Sequence, residues 1–256
     1  MKTANVLYEL EDGIATITLN RPERHNALVQ PLLDELREAL ARCRQDNPAA
    51  LVLRAEGRSF SSGGDVAAFY EVARGERRAY ATRLVGALNE AMLDLLRLPV
   101  ATVAAVHGMV TGGSVGLVLA CDIAVAGPNT HFAPWYTAVG FSPDGGWTAL
   151  MPERIGRGRA LDVQLTNRHI EAVEALQLGL VQYLEEDGDV SARAVRLARQ
   201  VRDAKRVSVR NTLALTRPDV NRVAAALEVE RRHFLELIDS EEADRGMAAF
   251  LGRAKQ

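Results

Sequence analysis

Two glycine-bearing turns, each directly after an apolar run typical of a strand, are the segments of this sequence best suited to chemistry. The first spans residues 58–65 and follows the run 50–53, and the second spans residues 107–114 and follows the run 100–106. Glycine lets the backbone approach a ligand closely, and a helix that begins after such a turn has unpaired backbone N–H groups. Two such turns side by side could direct two N–H donors at one developing oxyanion, which is the chief requirement for chemistry at a thioester carbonyl.

The elements around these turns alternate between strand and helix. Apolar periodicity and turn residues predict a β-hairpin over 6–19, an amphipathic helix over 31–44, a strand at 50–54, helices between 65 and 98, a strand after Pro99, a small-residue helix over 112–120, and short strands at 123–126 and 130–133. Repeated strand–turn–helix units with crossovers favour stacked βαβ units over a barrel of hairpins. We therefore expect an α/β fold.

The pattern changes after about residue 190. Residues 191–215, 219–238 and 241–251 have helical periodicity and no strand pattern, with Pro218 and Ser240 between them. The sequence thus predicts an α/β core over residues 1–190 that carries the site, followed by a helical C-terminal subdomain over residues 191–256.

Composition excludes several classes of partner. A formal net charge of −2 gives no basic surface for nucleic acid. The sequence has no uninterrupted run of about 18 apolar residues, so no membrane span is predicted, and the first residues lack a secretory leader pattern. The expected location is the cytoplasm, and no spacing of residues predicts a metal site.

Six short motifs, in one order along nearly the whole chain, resemble the crotonase (enoyl-CoA hydratase/isomerase) superfamily. They are the N-R-P to N-A-L loop at 20–28, F-S-S-G-G-D at 60–65, A-V-H-G-M-V-T-G-G at 105–113, A-C-D-I at 120–123, P-D-G-G at 143–146 and L-T-N-R at 165–168. The resemblance implies a spiral of stacked ββα units with helical C-terminal elements, and a homotrimer or a dimer of trimers. It also implies an acyl-CoA thioester substrate, with coenzyme A as part of the substrate and no separate cofactor.

The resemblance also assigns site residues. It implies that the backbone N–H groups of Ser61 and Gly113 form the oxyanion hole. It places the coenzyme and substrate against the loop that follows Arg24, against the first glycine turn and near one aromatic residue; the candidates are Arg24, Ala27, Ser59, Ser62, Gly63, Gly64 and Tyr136. For Arg24, a phosphate contact and a solvated loop arginine are equally supported, and for Tyr136 a role in shaping the pocket is favoured over a hydrogen bond to substrate.

The resemblance implies that hydration in this superfamily uses two glutamates, and both are missing here. The positions at which they are expected hold Gly116 and Tyr136, which disfavours a hydratase. Asp144, however, lies on a P-D-G-G turn that resembles the turn carrying the single acid of the enoyl-CoA isomerases. The alternative interpretation of Asp144 is a cap of a helix beginning near Gly146. Asp65 and Asp122 are interpreted as structural, the first as a helix N-cap and the second at the start of a strand.

Three hypotheses follow for the function. The leading one is an isomerase in which Asp144 shuttles a proton, because a carboxyl in an apolar pocket has a pKa raised toward neutrality. The expected apolar lining is Trp135, Val139, Phe141 and Trp147. The second is an enzyme in which Asp144 acts as nucleophile or water activator. In this hypothesis Asp144, which follows Trp135, resembles the aspartate of the aryl-CoA dehalogenases of the superfamily. The third is an acyl-CoA-binding protein without catalysis.

Overall fold

The computed structural model describes residues 4–186 and 189–253, which form a mixed α/β fold with two sheets. Its strands are β1 (Val6–Glu11), β2 (Ile14–Leu19), β3 (Ala50–Ala55), β4 (Ala101–Val106), β5 (Met109–Thr111), β6 (Ile123–Ala126), β7 (His131–Ala133), β8 (Ile170–Glu171) and β9 (Tyr183–Leu184). The larger sheet has the order β1-β2-β3-β4-β6-β9 and is parallel from β2 onward. The predicted α/β class is confirmed.

The predicted hairpin opens the larger sheet. β1 and β2 are antiparallel, with Glu11 opposite Ile14. Asp12 and Gly13 between them both have positive φ angles, 52° and 73°. A two-residue turn with positive φ at both positions matches the right-handed twist of the strands it joins, so the Asp-Gly pair sets the register.

Helices cover the sheets and complete the chain. They are α1 (Gln30–Asp46), α2 (Val66–Glu71), α3 (Arg74–Leu96), α4 (Val115–Leu119), α5 (Tyr136–Val139), α6 (Met151–Ile155), α7 (Arg157–Thr166), α8 (Ala172–Gln177), α9 (Val190–Asp203), α10 (Arg206–Thr216), α11 (Val220–Leu237) and α12 (Glu241–Phe250). The helices predicted at 31–44, 219–238 and 241–251 are confirmed. Among the described residues, none of these helices combines sufficient length with sufficient apolar character to cross a lipid bilayer.

The larger sheet lies between two helical layers. Alternate residues of a strand face opposite sides: Leu51 and Leu53 of β3 pack in the cluster that includes α1 and α3, whereas Val52 packs in the cluster that includes α9. The boundary predicted at residue 190 thus falls at the start of a helix that completes the core. Oligomerisation through residues 191–256 stays a prediction.

The smaller sheet brings the two glycine turns together. β5, which the sequence patterns did not predict, lies inside the second turn and pairs with β7. Ser61 of the first turn forms an isolated bridge with Val110 of β5, and the Thr111 N–H donates to the Ser61 carbonyl at 3.1 Å. The carboxyl ends of neighbouring parallel strands meet at one sheet edge, so β3 and β4 deliver the two turns side by side.

Candidate active site

A cavity of about 370 Å³ opens between the two glycine turns, α3, α5 and the C-terminal helices. Apolar side chains from distant parts of the chain form much of its wall: Leu84, Val85, Leu88, Val139, Phe141, Phe234, Phe250 and Leu251. A concave apolar site with a few polar groups is the usual form of a small-molecule site. The C-terminal helices are therefore part of the site.

Asp144 is the carboxyl group of the cavity that is most withdrawn from solvent. Its residue is 6% exposed, and the Tyr136 hydroxyl donates a hydrogen bond to its Oδ1 at 2.5 Å. Burial raises the pKa of Asp144 to about 7; the Tyr136 hydrogen bond opposes the rise, and the negative charge of Glu230 adds to it. No cation pairs with Asp144 among the described residues. Near neutral pH this carboxyl can therefore both accept and release a proton.

The Asp144 carboxyl lies against the second glycine turn. A Cβ atom at Gly145 would come within 2.3 Å of the Gly113 Cα, and Gly145 has a φ of +60°. A Cβ at position 113 would in turn lie 3.4 Å from the Asp144 Oδ1. Glycine at both positions thus lets the two backbones touch, which places the carboxyl beside the Gly113 amide.

The interpretation of Asp144 as a helix cap is wrong. The next helix, α6, begins only at Met151. The Asp144 side chain accepts from a phenol rather than from a backbone N–H. Residues 145–150 form turns instead of a helix, so the carboxyl has no capping role here.

Ser61 does not offer a free amide. Its N–H donates to the Met109 carbonyl at 3.0 Å, and its residue is fully buried at 0% exposure. Ser61 also lies outside the cavity lining, whereas Gly64 lies in it. None of the hydrogen bonds among the described residues uses the Gly64 N–H. The prediction for Ser61 is therefore wrong, because the bridge to β5 consumes that donor.

Gly113 occupies the position that the prediction gave it beside the cavity. It lies in the 3-10 turn Gly112–Ser114 that precedes α4. An N–H in the first turn of a helix has no partner within the helix. Gly64 and Gly113, one from each turn, thus both line the cavity.

The residues predicted to bind substrate divide into two groups. Five of them line the cavity: Arg24, Ala27, Ser62, Gly64 and Tyr136. Ser59 and Gly63 do not. Ser59 is buried and bonds the His25 ring at 3.1 Å, and Gly63 packs on the Thr111 carbonyl with a φ of +78°. These two residues build the turn and lie outside the cavity lining, so their contact with substrate stays a prediction.

Arg24 and Asp65 form an ion pair at the exposed side of the cavity. Their side chains are 3.2 Å apart, and 55% of the Arg24 side chain is exposed. Asp65 also caps α2 by accepting from the Ala68 N–H at 3.2 Å, as predicted. The guanidinium remains accessible to an anionic group.

Trp147 has a different role from the one predicted. It is fully buried outside the cavity, and its indole N–H donates to the Gly112 carbonyl at 2.8 Å. It therefore fixes the second glycine turn. Trp135, by contrast, does line the cavity and has a φ of 63°, a conformation that is rare for an aromatic residue and that marks local strain.

Position 116 has no room for a side chain in this structure. A Cβ there would come within 2.2 Å of the Met92 Sδ and 2.3 Å of the Gly145 carbonyl oxygen. The backbone of the Asp144 turn thus fills the place of a side chain at 116. Besides Asp144, the carboxyls of the cavity lining are Glu23, which is exposed, and Asp65, which is paired with Arg24.

Glu230 is a site residue that the sequence reasoning missed. It lies on α11 and is 4% exposed. Its carboxylate accepts from the Gly146 N–H at 2.9 Å, from the Thr148 N–H and hydroxyl at 2.7 Å each, and from the Ala149 N–H at 2.8 Å. The helical periodicity indicates that Glu230 is buried, because it falls on the same face of α11 as the buried Val223, Leu227 and Phe234.

Comparison with known proteins agrees with this α/β fold. The family described as "Enoyl-CoA hydratase/isomerase" matches residues 9–256. The chain belongs to that family. A probable enoyl-CoA hydratase of Rhodobacter capsulatus is 34% identical over 261 residues, covering 98% of this chain and 96% of that protein. The 4-chlorobenzoyl coenzyme A dehalogenase-2 of an Arthrobacter species is 35% identical over 201 residues, covering 77% and 72%.

The solved structures show the same architecture. The crystal structure of an enoyl-CoA hydratase from Bacillus halodurans superposes with a TM-score of 0.90 at 25% identity, covering 96% of this chain and 99% of that one. The predicted crotonase-type fold is thereby confirmed. The relatives carry names of more than one activity, so the particular reaction has to be argued from the site.

Proposed function

We propose that this protein is an acyl-CoA isomerase that shifts a carbon–carbon double bond in an enoyl-CoA thioester through a proton shuttle on Asp144. The observation that carries the proposal is one buried carboxyl beside the Gly113 turn, in an apolar cavity, with a pKa raised by burial to about 7. Double-bond migration needs one base that gives back the proton it takes, and this carboxyl has the required proton affinity.

The proposed reaction begins at the thioester carbonyl. Its oxygen accepts from the Gly113 N–H and, in place of Ser61, from the Gly64 N–H. The Asp144 carboxylate removes a proton from C2 of a 3-enoyl thioester, and the C–H electron pair moves into the C2–C1 bond as charge develops on the carbonyl oxygen. The protonated Asp144, whose acid proton exchanges with solvent during the lifetime of the dienolate, then delivers a proton to C4 as the dienolate collapses. Return of a proton to C2 instead regenerates the substrate with a solvent hydrogen at C2. The product is the conjugated 2-enoyl thioester. Each oxyanion donor contributes about 2.7–4 kcal/mol of transition-state stabilisation.

The crowding at Gly116 supports isomerisation over hydration. A water that adds to the double bond needs groups to hold and activate it, and position 116 has no space for a carboxylate. Tyr136, at the other expected position, is engaged with Asp144. Asp144 alone can move a proton between two carbons without water.

A second candidate is favoured by the 35% identity to a chlorobenzoyl-CoA dehalogenase. There Asp144 would attack an aryl carbon, release the halide and leave an aryl ester on its own carboxyl. Release of the product then needs a base that activates water. Among the described lining residues His25 is the one imidazole, and it lies in the loop beside Arg24, so we rank this reaction second.

The remaining parts of the proposal concern binding and assembly. We propose that Arg24 meets a phosphate of coenzyme A and that Ala27, Ser62 and Tyr136 contact the thioester portion. The reaction requires no metal and no cofactor apart from the coenzyme A of the substrate. A homotrimer or dimer of trimers in the cytoplasm is the assembly and location that we propose.

The test is a product analysis in deuterated water. The protein is incubated with 3-enoyl, 2-enoyl and halogenated aryl CoA thioesters, and products and deuterium content are measured by mass spectrometry. We expect conversion of 3-enoyl to 2-enoyl thioester with deuterium exchange at C2. Asp144→Asn should bind the thioester and lose the exchange.

Glu90→Gln is the matched control, because Glu90 is an exposed carboxylate of α3 paired with Arg97. It should exchange at the wild-type rate. Formation of 3-hydroxyacyl-CoA as the main product would contradict the proposal, and an aryl adduct on Asp144 would favour the second candidate. Thioester binding without turnover of any substrate would indicate a binding protein.

A further inference from the structure

The segment that follows Asp144 is held by one side chain from the opposite end of the chain. The Glu230 Oε1 accepts three hydrogen bonds, from the Thr148 N–H, the Thr148 hydroxyl and the Ala149 N–H, and the Oε2 accepts one from the Gly146 N–H. These donors lie in non-helical turns, whose backbone N–H groups need partners when buried. A single carboxylate thus replaces the hydrogen bonds that secondary structure would supply.

The held segment is continuous with the reacting carboxyl. Gly145 touches the Gly113 Cα through a contact that only glycine allows, and Gly146 is the next residue. The Gly146 N–H that Glu230 holds is thus two residues from Asp144 and adjacent to the contact with Gly113.

We propose that Glu230 is a positioning residue of the active site, whose buried carboxylate holds residues 146–149 and thereby fixes Asp144 against the Gly113 turn. This inference rests on the proposed function, because it assigns Glu230 a role in proton transfer at Asp144. Glu230 lies outside the cavity lining, so it acts through the turn rather than on the substrate.

Glu230 has a second effect, through its charge. The groups that bear on the pKa of Asp144 besides burial are the Tyr136 hydroxyl of α5, which lowers it, and the Glu230 carboxylate of α11, which raises it. Burial raises the pKa of Glu230 itself, and its four hydrogen bonds oppose that rise. Its partners among the described residues are all hydrogen-bond donors, the Gly146, Thr148 and Ala149 N–H groups and the Thr148 hydroxyl.

The charge and the reach of Glu230 can be separated by two substitutions. Glu230→Gln keeps the length of the side chain and removes its charge. The amide N–H₂ group of the glutamine would face at least one of the four groups that now donate to Glu230, so that hydrogen bond would be lost. Glu230→Asp keeps the charge and withdraws the carboxylate by one methylene. A role limited to general stability would change neither the pKa of Asp144 nor its proton-transfer rate in the folded protein.

The experiment measures two quantities in each variant. The first is the pKa of Asp144 in the substrate-free protein, from ¹³C-NMR of labelled aspartate carboxyls assigned with Asp144→Asn. The second is the maximal rate of C2 deuterium exchange. For Glu230→Gln we expect a pKa lower by about half a unit or more and a maximal rate about tenfold or more lower. Glu230→Asp should restore the pKa while the rate stays low.

Glu228→Gln is the control, because Glu228 lies on the same helix, is 61% exposed and pairs with Arg231. It should match the wild type in both measurements. If Glu230→Gln does not fold, Thr148→Ala removes one donor from an exposed residue and should lower the rate about threefold.

Each outcome separates the inference from the function on which it rests. An unchanged pKa and rate in Glu230→Gln would overturn the inference while the loss in Asp144→Asn preserved the isomerase. An unchanged rate in a folded Thr148→Ala would overturn it where Glu230→Gln cannot be made. Absence of C2 exchange in the wild type would overturn both.

Discussion

Asp122 and Asp144 are two aspartates withdrawn from solvent, and their surroundings differ in kind. Asp122 precedes β6 and accepts from the Thr102 N–H at 2.7 Å, the Thr102 hydroxyl at 2.9 Å, and two Arg217 nitrogens at 2.7 and 2.6 Å. Asp144 accepts from one phenol and has no paired cation among the described residues. The Arg217 guanidinium compensates the charge of Asp122, whereas burial raises the pKa of Asp144 to about 7. Burial without a paired cation, as opposed to pairing with a guanidinium, thus distinguishes the reactive acid from the structural one.

The largest effect expected from this difference is on turnover. Asp144→Asn should lower the rate of double-bond migration about 10³-fold, because positioned acid–base groups contribute 10²–10⁴-fold. Asp122→Asn should leave the rate per folded molecule within about twofold. Steady-state kinetics of both variants checks this, and comparable losses would erase the distinction.

The backbone contact that places Asp144 gives the next largest effect. Gly145→Ala should lower turnover about 100-fold, since its Cβ would come within 2.3 Å of the Gly113 Cα at a φ of +60°. Gly158→Ala, where a Cβ meets nothing within 4 Å, is the matched control and should keep full activity. Equal activity of the two variants would show that the contact does not position the site.

We expect the stability of the fold to depend more on Asp122 than on Asp144, which is the reverse of the order expected for turnover. Asp122→Asn leaves the Arg217 guanidinium, whose side chain is 11% exposed, without its counterion, and about 3 kcal/mol of unfolding free energy should be lost. Denaturant unfolding measures this value. A loss below about 1 kcal/mol would mean that the carbonyls of Leu96 and Val100, which Arg217 also contacts, hold the cation well enough alone.

The pH dependence of stability offers a further contrast. Asp144 has a folded-state pKa of about 7, above its ordinary value of 3.8, so the folded state binds the proton more tightly. Its stabilising contribution is complete below about pH 4 and is lost as the pH rises through 7. Asp144→Asn should therefore gain unfolding free energy relative to the wild type across that window, by up to about 1.4 kcal/mol per pKa unit. A difference that stays constant with pH would refute the raised pKa.

The smallest effect is expected from the phenol. The Tyr136 hydroxyl lowers the pKa of Asp144 by donating to it, so Tyr136→Phe should raise the midpoint of the pH–rate profile by about half a unit or more. The measurement is the rate of exchange as a function of pH. A midpoint that moves to lower pH would reverse the assigned role of the hydroxyl.

The elements that the sequence predicted correctly are those formed by short-range patterns of turn residues and apolar residues. The Asp12-Gly13 hairpin, β6 and the amphipathic helix α1 follow from turn chemistry and apolar periodicity. β5 was missed because it is three residues long and lies inside a turn. The break between α9 and α10 at Ala204 was missed because no glycine or proline marks it.

The candidate site was predictable only in part, because its finer geometry is made by long-range contacts. The turn motifs identified Gly113 and Asp144, but the pairing of Ser61 with β5 decides which amide is free. Trp147 likewise faces the Gly112 carbonyl instead of the cavity. Glu230 was visible as a charge on the buried stripe of α11, and its partners 146–149 could be found only from the fold.

The central claim, that Asp144 carries the migrating proton with a pKa of about 7, is tested most directly by the pH dependence of C2 deuterium exchange into a 3-enoyl-CoA thioester. We expect one rise in the wild-type rate with a midpoint near neutrality and no exchange in Asp144→Asn. Exchange that persists in Asp144→Asn, or a wild-type midpoint at the ordinary aspartate value, would contradict it.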